Sequence, residues 1–381
     1  MVPGVYSRGM LARGAVWDRV AGSLHGLLVG DALGCPVEGW TQAQIVEEFG
    51  SVTAMTEVPG ARWRPRGLHS DDGQQALAVV DAICRDPDRP ELPFIELMIA
   101  LREGGAQRVG RWGLHRGVGR NFRSTVRGLQ STGVSDPFMH AVASAGNGAA
   151  MRVAPVGLWW RDDPETRDLR AAQISAVTHS DIRAISAAQT VAIVVAEAFS
   201  DQPGPVLDTA LVAAVTRAQA RAEAELGLEP DPRFVQLLEA LVEHRGRCDR
   251  LAGLLRGIRE RAMLLGGAER EVEATSGFAP CSVLAALAIV ELAESFEDAL
   301  ITAVNLGGDT DTVGAMVGAM AGARLGFGSI PPRWLDDLHA TGTLMERIDV
   351  VVRAEPGEPG PDLLGLEAGW DLLFERPPAL G

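Results

Sequence analysis

The chain has 381 residues, with 50 acidic and 35 basic side chains, a net charge of −15 and 46% hydrophobic residues. That balance calls for a sizeable core, excludes wholesale disorder, and argues against nucleic acid or an anionic membrane surface as the main partner. No lysine occurs anywhere, which excludes Schiff-base, P-loop and kinase-type lysine chemistry.

The opening MVPGVYSRGMLARGAVWDRV lacks the unbroken apolar stretch of a signal peptide, and no apolar run is expected to reach the ~20 residues of a membrane span. A cytoplasmic protein with a flexible N-terminus over residues 1–15 is expected. Trp17, Val20, Leu24 and Leu27 step by three and four, which predicts an amphipathic helix. It runs into GLLVGDALGCPVEG, where Asp31 falls on the buried face and Glu38 lies in a loop after Pro36. Cys35, Cys84, Cys248 and Cys281 are scattered without metal-ligand spacing, so free thiols are expected.

In HSDDGQQALAVVDAIC, Ser70, Asp71 and Asp72 stand directly before a helical pattern carried by Leu77, Val80 and Cys84. RGVGRNF, from Arg116, lacks the third glycine of a dinucleotide fingerprint and follows no clear strand, which excludes a Rossmann unit. GNGAAMRVAPVGL, from Gly146, exposes backbone N–H groups suited to a phosphate oxygen, although GNG is equally a turn. His179 in THSDI opens another helix, and residues 185–199 are apolar all round, as in a fully buried helix. Residues 200–273 look helical without a readable motif. Ser295, with Asp298 three residues on, caps a helix bearing Phe296, Leu300 and Val304 on one face. VTAM near Thr53 and RIDVVV near Ile348 are the best period-two stretches.

Residues 305–326 read NLGGDTDTVGAMVGAMAGARLG. Gly307-Gly308 marks a turn, so Asp309, Thr310, Asp311 and Thr312 should form a helix N-terminus. Gly314, Gly318 and Gly322 then leave one helix face as bare backbone. Each interior glycine costs roughly 0.5–1 kcal/mol relative to alanine, so something must come close to that face. The Pro/Gly-rich residues 354–381 are expected to wrap the surface or fray. With no internal repeat and no domain-sized linker, the chain reads as all-α: one compact helical domain over residues 16–353.

Two acidic helix starts invite a joint reading. Capping alone uses one residue per helix, whereas each start here offers several oxygen-bearing side chains. Carboxylates gathered from both would repel and raise one another's pKa unless cations intervene. Hard divalent ions with oxygen ligands, Mg²⁺ or Mn²⁺, suit that role better than zinc.

GDALGCPVEG, SDDGQQAL, GNGAAMRVAP, a TH before a helix and NLGGDTDTVGAMVGAMAGA occur in this order. Together they resemble the ADP-ribosylglycohydrolases, the family of dinitrogenase-reductase-activating glycohydrolase, over residues 16–334. The resemblance implies an all-α orthogonal bundle with a dinuclear Mg²⁺ or Mn²⁺ cleft that removes ADP-ribose from a modified protein or small-molecule conjugate. It implies metal ligands at Ser70, Asp71, Asp72, Asp309, Asp311 and Thr312. Catalytic carboxylates are implied among Glu38, Asp71, Asp72 and Asp309. Ligand contacts are implied at Gly117, Gly119, Gly146, Gly148, Ala149 and His179. The family pattern TDDT is SDDG here, so Gly73 lacks a hydroxyl and is expected to loosen the helix start. A non-catalytic ADP-ribose-binding or crystallin-like relative is the alternative; it predicts damaged acidic clusters, and these are intact apart from Gly73. An HD-class phosphohydrolase needs a His-Asp pair, and no histidine here precedes Asp.

Overall fold

A computed structural model of the chain describes residues 14–58, 64–105, 112–201, 203–265, 267–268 and 272–375. Its helices in the first half are α1 (Ala15–Gly34), α2 (Gln42–Phe49), α3 (Asp71–Arg85), α4 (Glu91–Glu103), α5 (Arg120–Thr132), α6 (Ala154–Trp159), α7 (Pro164–Ala176) and α8 (Ile182–Glu197). The second half adds α9 (Thr209–Leu226), α10 (Arg233–Arg245), α11 (Leu251–Ala262), α12 (Ala279–Leu292), α13 (Phe296–Asn305) and α14 (Thr310–Leu325). It ends with α15 (Pro332–Asp337), α16 (Met345–Arg353) and α17 (Leu363–Asp371). Among the described residues only isolated β-bridges occur, so the chain is all-α. The two period-two stretches are not strands: Thr53 lies in a loop and Ile348 in α16. Short apolar runs carry too little period to separate strand from buried helix.

At the centre of the core α14 packs against α1, α8 and α12, and α8 packs against α12. In α8 residues 184–196 are all buried, as its apolar composition predicts. The glycine face of α14 meets α1 with almost nothing between the backbones. A methyl group at Gly314, Gly318 or Gly322 would overlap the carbonyl of Gly30, Gly26 or Gly22, respectively. The reverse holds too, and Gly34 meets the Thr310 carbonyl in the same way. Two glycine faces in register let the helices approach closer than side chains permit, and the dispersion gained offsets the helix propensity lost.

One expectation fails here. The segment Ala15–Val37 has the length to cross a membrane and contains an 18-residue window with a mean hydropathy of 1.3, yet 94% of that window is buried inside the protein. Its apolarity is that of a core helix. The capped start predicted at Ser295 is present, with Ser295 accepting from the Asp298 amide. The described residues of 200–273 include α9, α10 and α11. Cys35, Cys84 and Cys281 are free and buried, and Cys248 is free and half-buried.

Residues 354–375, read as a stretch that wraps or frays, contain α17, whose Leu363, Glu367 and Trp370 are buried. Residues 1–13, within the expected flexible N-terminus, and 376–381, within the expected tail, lie outside the described residues.

Candidate active site

The start of α3 is fixed by a carboxylate from α1. Asp31 is fully buried and accepts the amides of Ser70, at 2.8 and 2.9 Å to its two oxygens, and of Gly73, at 2.7 Å. Two of the orphan N–H groups of the α3 N-terminus are thereby satisfied by a residue 39 and 42 positions upstream of them. Burial pushes the Asp31 carboxyl up, opposed by His69 and by those two amides. Ser70 caps the helix, accepting the Asp72 amide at 3.1 Å, and its hydroxyl donates back to Asp72 Oδ2 at 3.0 Å. Gln75 donates to Asp71 Oδ2 at 3.1 Å.

The start of α14 is set by the glycine turn. Gly307 and Gly308 have φ of 76° and 85°, a left-handed conformation that favours glycine. The turn clips onto the loop after α1: Gly39 donates to the Gly308 carbonyl at 2.7 Å, and Gly308 to the Trp40 carbonyl at 2.8 Å. Glu38 is carried in by this clip. Carboxylate oxygens of Glu38, Asp309 and Asp311 lie within 4.8 Å of one another. Asp309 stands at the N-cap position but makes no capping hydrogen bond. Its Oδ2 instead accepts from Asn147 at 2.8 Å, and its amide donates to the Thr275 carbonyl at 2.8 Å. Capping alone does not account for this carboxylate.

The two tips meet. Asp72 lies against the side chain of Thr312, and both tips line one cavity of about 370 Å³. Burial pushes Asp72 and Asp311 well above the usual carboxylate range, and neighbouring carboxylates push each further. Asp71 is raised to about 7 by burial, opposed by Arg64 and reinforced by Asp31 and Glu38. Asp72 Oδ1 is buried without a hydrogen-bond partner. An oxygen-only donor set, mutually repelling carboxylates and an orphaned buried oxygen fit a hard divalent cation. These acidic groups could hold a metal ion.

The opposite wall is the GNG loop with His179. Positions where Cβ atoms would sit on Gly146 and Gly148 are both 3.5 Å from the His179 ring, so the loop backbone and the ring lie in close contact. Burial and the nearby Arg152 push His179 down to about 3, which keeps the ring neutral. Arg152 is buried and ties the wall to α3: it donates to Gln75 Oε1 at 2.9 Å, the Gly148 carbonyl at 2.9 Å and Thr178 Oγ1 at 2.7 Å. Thr178 Oγ1 in turn lies 2.8 Å from His179 Nδ1.

Of the residues singled out in the sequence, Glu38, Asp71, Asp72, Gly117, Gly119, Gly146, Gly148, His179, Asp309, Asp311 and Thr312 line this one cavity. Ser70 and Ala149 are buried beside it rather than in its lining. His179 precedes its helix, whose N-cap is Asp181. At Gly73, Leu28 and His69 occupy the space a side chain would need, and the Gly73 amide is held by Asp31. Sequence reasoning missed Arg64, Gln75, Asn147 and Arg152. It also missed a buried network beneath the SDDG tip. There Glu367 of α17 pairs with Arg116, accepts from Gln74 at 2.8 Å and lies 3.2 Å from His69 Nε2. Arg116 Nε donates to the His69 carbonyl at 3.0 Å. Burial opposes the charge on Glu367, but Arg116 and His69 hold its carboxyl down at about 2.

Comparison with known proteins accords with this geometry. The family described as ADP-ribosylglycohydrolase matches residues 13–360. The chain is 25% identical to the ADP-ribosylarginine hydrolase Tri1 of Pseudomonas putida, over 84% of this chain and 74% of that protein. It is 25% identical to the ADP-ribosyl-(dinitrogen reductase) glycohydrolase of Rhodospirillum rubrum, over 89% of this chain and 97% of that one. A solved structure titled ADP-ribosylglycohydrolase-related protein complex superposes with a TM-score of 0.61 at 28% identity, covering 89% of this chain and 98% of that chain. The chain belongs to the ADP-ribosylglycohydrolase family, hydrolases that act on glycosyl bonds.

Proposed function

We propose that the protein hydrolyses the bond between the distal ribose of ADP-ribose and a modified acceptor, using two Mg²⁺ or Mn²⁺ ions in the acidic cavity. The acceptor is a protein side chain, arginine before serine, or a small-molecule or nucleotide conjugate. One observation carries this reading: Asp71 and Asp72 of one helix start and Asp309 and Asp311 of another, far apart in the chain, line one cavity, where Glu38, Asp309 and Asp311 oxygens lie within 4.8 Å. Two relatives are named for the release of ADP-ribose from arginine or from dinitrogen reductase, which supports the protein-linked acceptor.

In this reading Asp71, Asp72, Asp309, Asp311 and Thr312 hold the ions, and Ser70 steadies Asp72. When bound, the ions neutralise the carboxylates and polarise the ribose hydroxyls and a nearby water. Glu38, the more exposed carboxylate at the rim, takes the proton of the water that attacks the anomeric carbon. The bond to the acceptor breaks, and the acceptor leaves with the proton that Glu38 took from the water. Neutral His179 and the backbone of Gly146, Gly148 and Ala149 receive the diphosphate without adding charge, and Gly117 and Gly119 border the adenosine end.

The test is release of ADP-ribose from arginine-, serine- and nucleotide-linked substrates, with Mg²⁺, Mn²⁺ or EDTA. Metal-dependent release from at least one linkage is expected. Tight ADP-ribose binding with no release from any linkage would instead support the non-catalytic alternative.

A further inference from the structure

Buried arginines elsewhere among the described residues form tight ion pairs, as Arg167 does with Asp168 at 2.8 Å. Arg347 grips Asp81 through Nε and Nη2, both at 2.8 Å, and Arg116 pairs with Glu367. Charge-assisted pairs of this kind sit at about 2.7–2.9 Å. Arg64 does not. Its Nη2 is 3.8 Å from Glu38 Oε2, and its Nη1 is buried with no hydrogen-bond partner. Yet three carboxylates, Asp311, Glu38 and Asp31, act on its charge. A Cβ on Gly117 would lie 2.9 Å from Arg64 Nη2 and 2.6 Å from Asp71 Oδ1, so guanidinium and carboxylate share the space over that bare glycine. Burial works against the charge of Arg64, but Cys35, Asp311, Glu38 and Asp31 outweigh it and hold the guanidinium above its ordinary value. Its field in turn works to lower Asp71 and Asp31. A cation that is central to an acidic cluster but tightly paired with none of its members behaves as a counter-ion, not as a structural strut.

We propose that Arg64 is a resident counter-cation of the acidic cavity, and that it competes with divalent metal for Asp71 and Glu38. Without metal the guanidinium screens the carboxylates from one another. As divalent charge enters, it becomes a like charge and must rotate away, so full loading is opposed by the protein's own side chain. The inference rests on the metal reading above and adds a determinant of metal affinity. Arg64 offers no oxygen donor and cannot act as a ligand, so its effect is on occupancy.

The experiment titrates Mn²⁺ into EDTA-stripped full-length protein by calorimetry, comparing the unaltered chain with Arg64→Gln, Arg64→Lys and the Asp309→Ala/Asp311→Ala double variant. Arg64→Gln is expected to bind Mn²⁺ at least tenfold more tightly while melting lower than the unaltered chain when metal-free. Saturating Mn²⁺ should close that gap in melting temperature. Arg64→Lys, which keeps the charge, should stay near the unaltered affinity. Equal or weaker Mn²⁺ binding by Arg64→Gln overturns the proposal, provided that the unaltered chain binds and the double variant does not. Absence of binding in every chain defeats the metal reading itself. Should Arg64→Gln fail to fold, crystal structures of the unaltered protein with and without Mn²⁺ decide. The guanidinium is expected to leave Asp71 and Glu38 when Mn²⁺ is bound; a guanidinium unmoved beside a fully loaded centre overturns the proposal.

Discussion

Asp31 of α1 binds the amide of Gly73 at 2.7 Å, so a buried carboxylate from one helix fixes the N-terminal turn of another, where Asp71 and Asp72 begin. Asp31→Asn replaces one acceptor oxygen with a donor that faces backbone N–H groups. A buried donor left unpaired costs about 1–3 kcal/mol. The variant should therefore unfold at lower denaturant and bind Mn²⁺ more weakly, because the Asp71–Asp72 tip loses its anchor. Chemical denaturation and metal titration check both effects. An unchanged Mn²⁺ affinity would show that the tip is held without Asp31.

The glycine seam between α1 and α14 gives a second prediction. A methyl at Gly318 overlaps the carbonyl of Gly26, at the middle of the seam where neither backbone can yield locally. Overpacking of this kind costs about 1–3 kcal/mol, more than the roughly 1 kcal/mol that alanine gains in helix propensity. Gly318→Ala should lower the melting temperature by several degrees. Gly369→Ala in α17, where nothing lies within 4 Å of the new methyl, should leave it level or raise it. Calorimetric melting of the two variants side by side measures the difference.

Glu367 predicts a pH dependence. Its carboxyl is lowered from 4.5 to about 2 by Arg116 and His69 against the pull of burial. A lowered folded-state pKa gives stability that is present above the unfolded value and lost as pH falls through the folded one. The window is pH 4.5 down to about 2, and the contribution is roughly 3 kcal/mol. Glu367→Gln should be less stable at pH 7, and the gap to the unaltered chain should narrow as pH falls across that window. Urea unfolding at a series of pH values reads this directly.

These residues also show what the sequence could and could not reveal. The acidic helix starts, the glycine turn and the bare face of α14 were legible, because caps, turns and helical period are local. The matching face was written just as plainly, as Gly22, Gly26, Gly30 and Gly34, but a four-residue step says nothing of its partner. Glu367 was hidden. It sits in a Pro/Gly-rich stretch and reaches His69 across 298 residues, so no local pattern announces its burial. At Gly73 a missing hydroxyl reads as a loss, and the closeness of Leu28 and His69 is visible only in three dimensions. Arg64, Gln75, Asn147 and Arg152 carry ordinary polar signals, and only convergence in space gives them a role.

The central claim concerns metal at the junction of α3 and α14, and Mn²⁺ titration of the stripped full-length protein, read alongside release of ADP-ribose, tests it most directly. Two Mn²⁺ per chain are predicted, with binding and release lost together in Asp309→Ala/Asp311→Ala. Release that proceeds unchanged in EDTA, or a double variant that still takes up both ions, would contradict it.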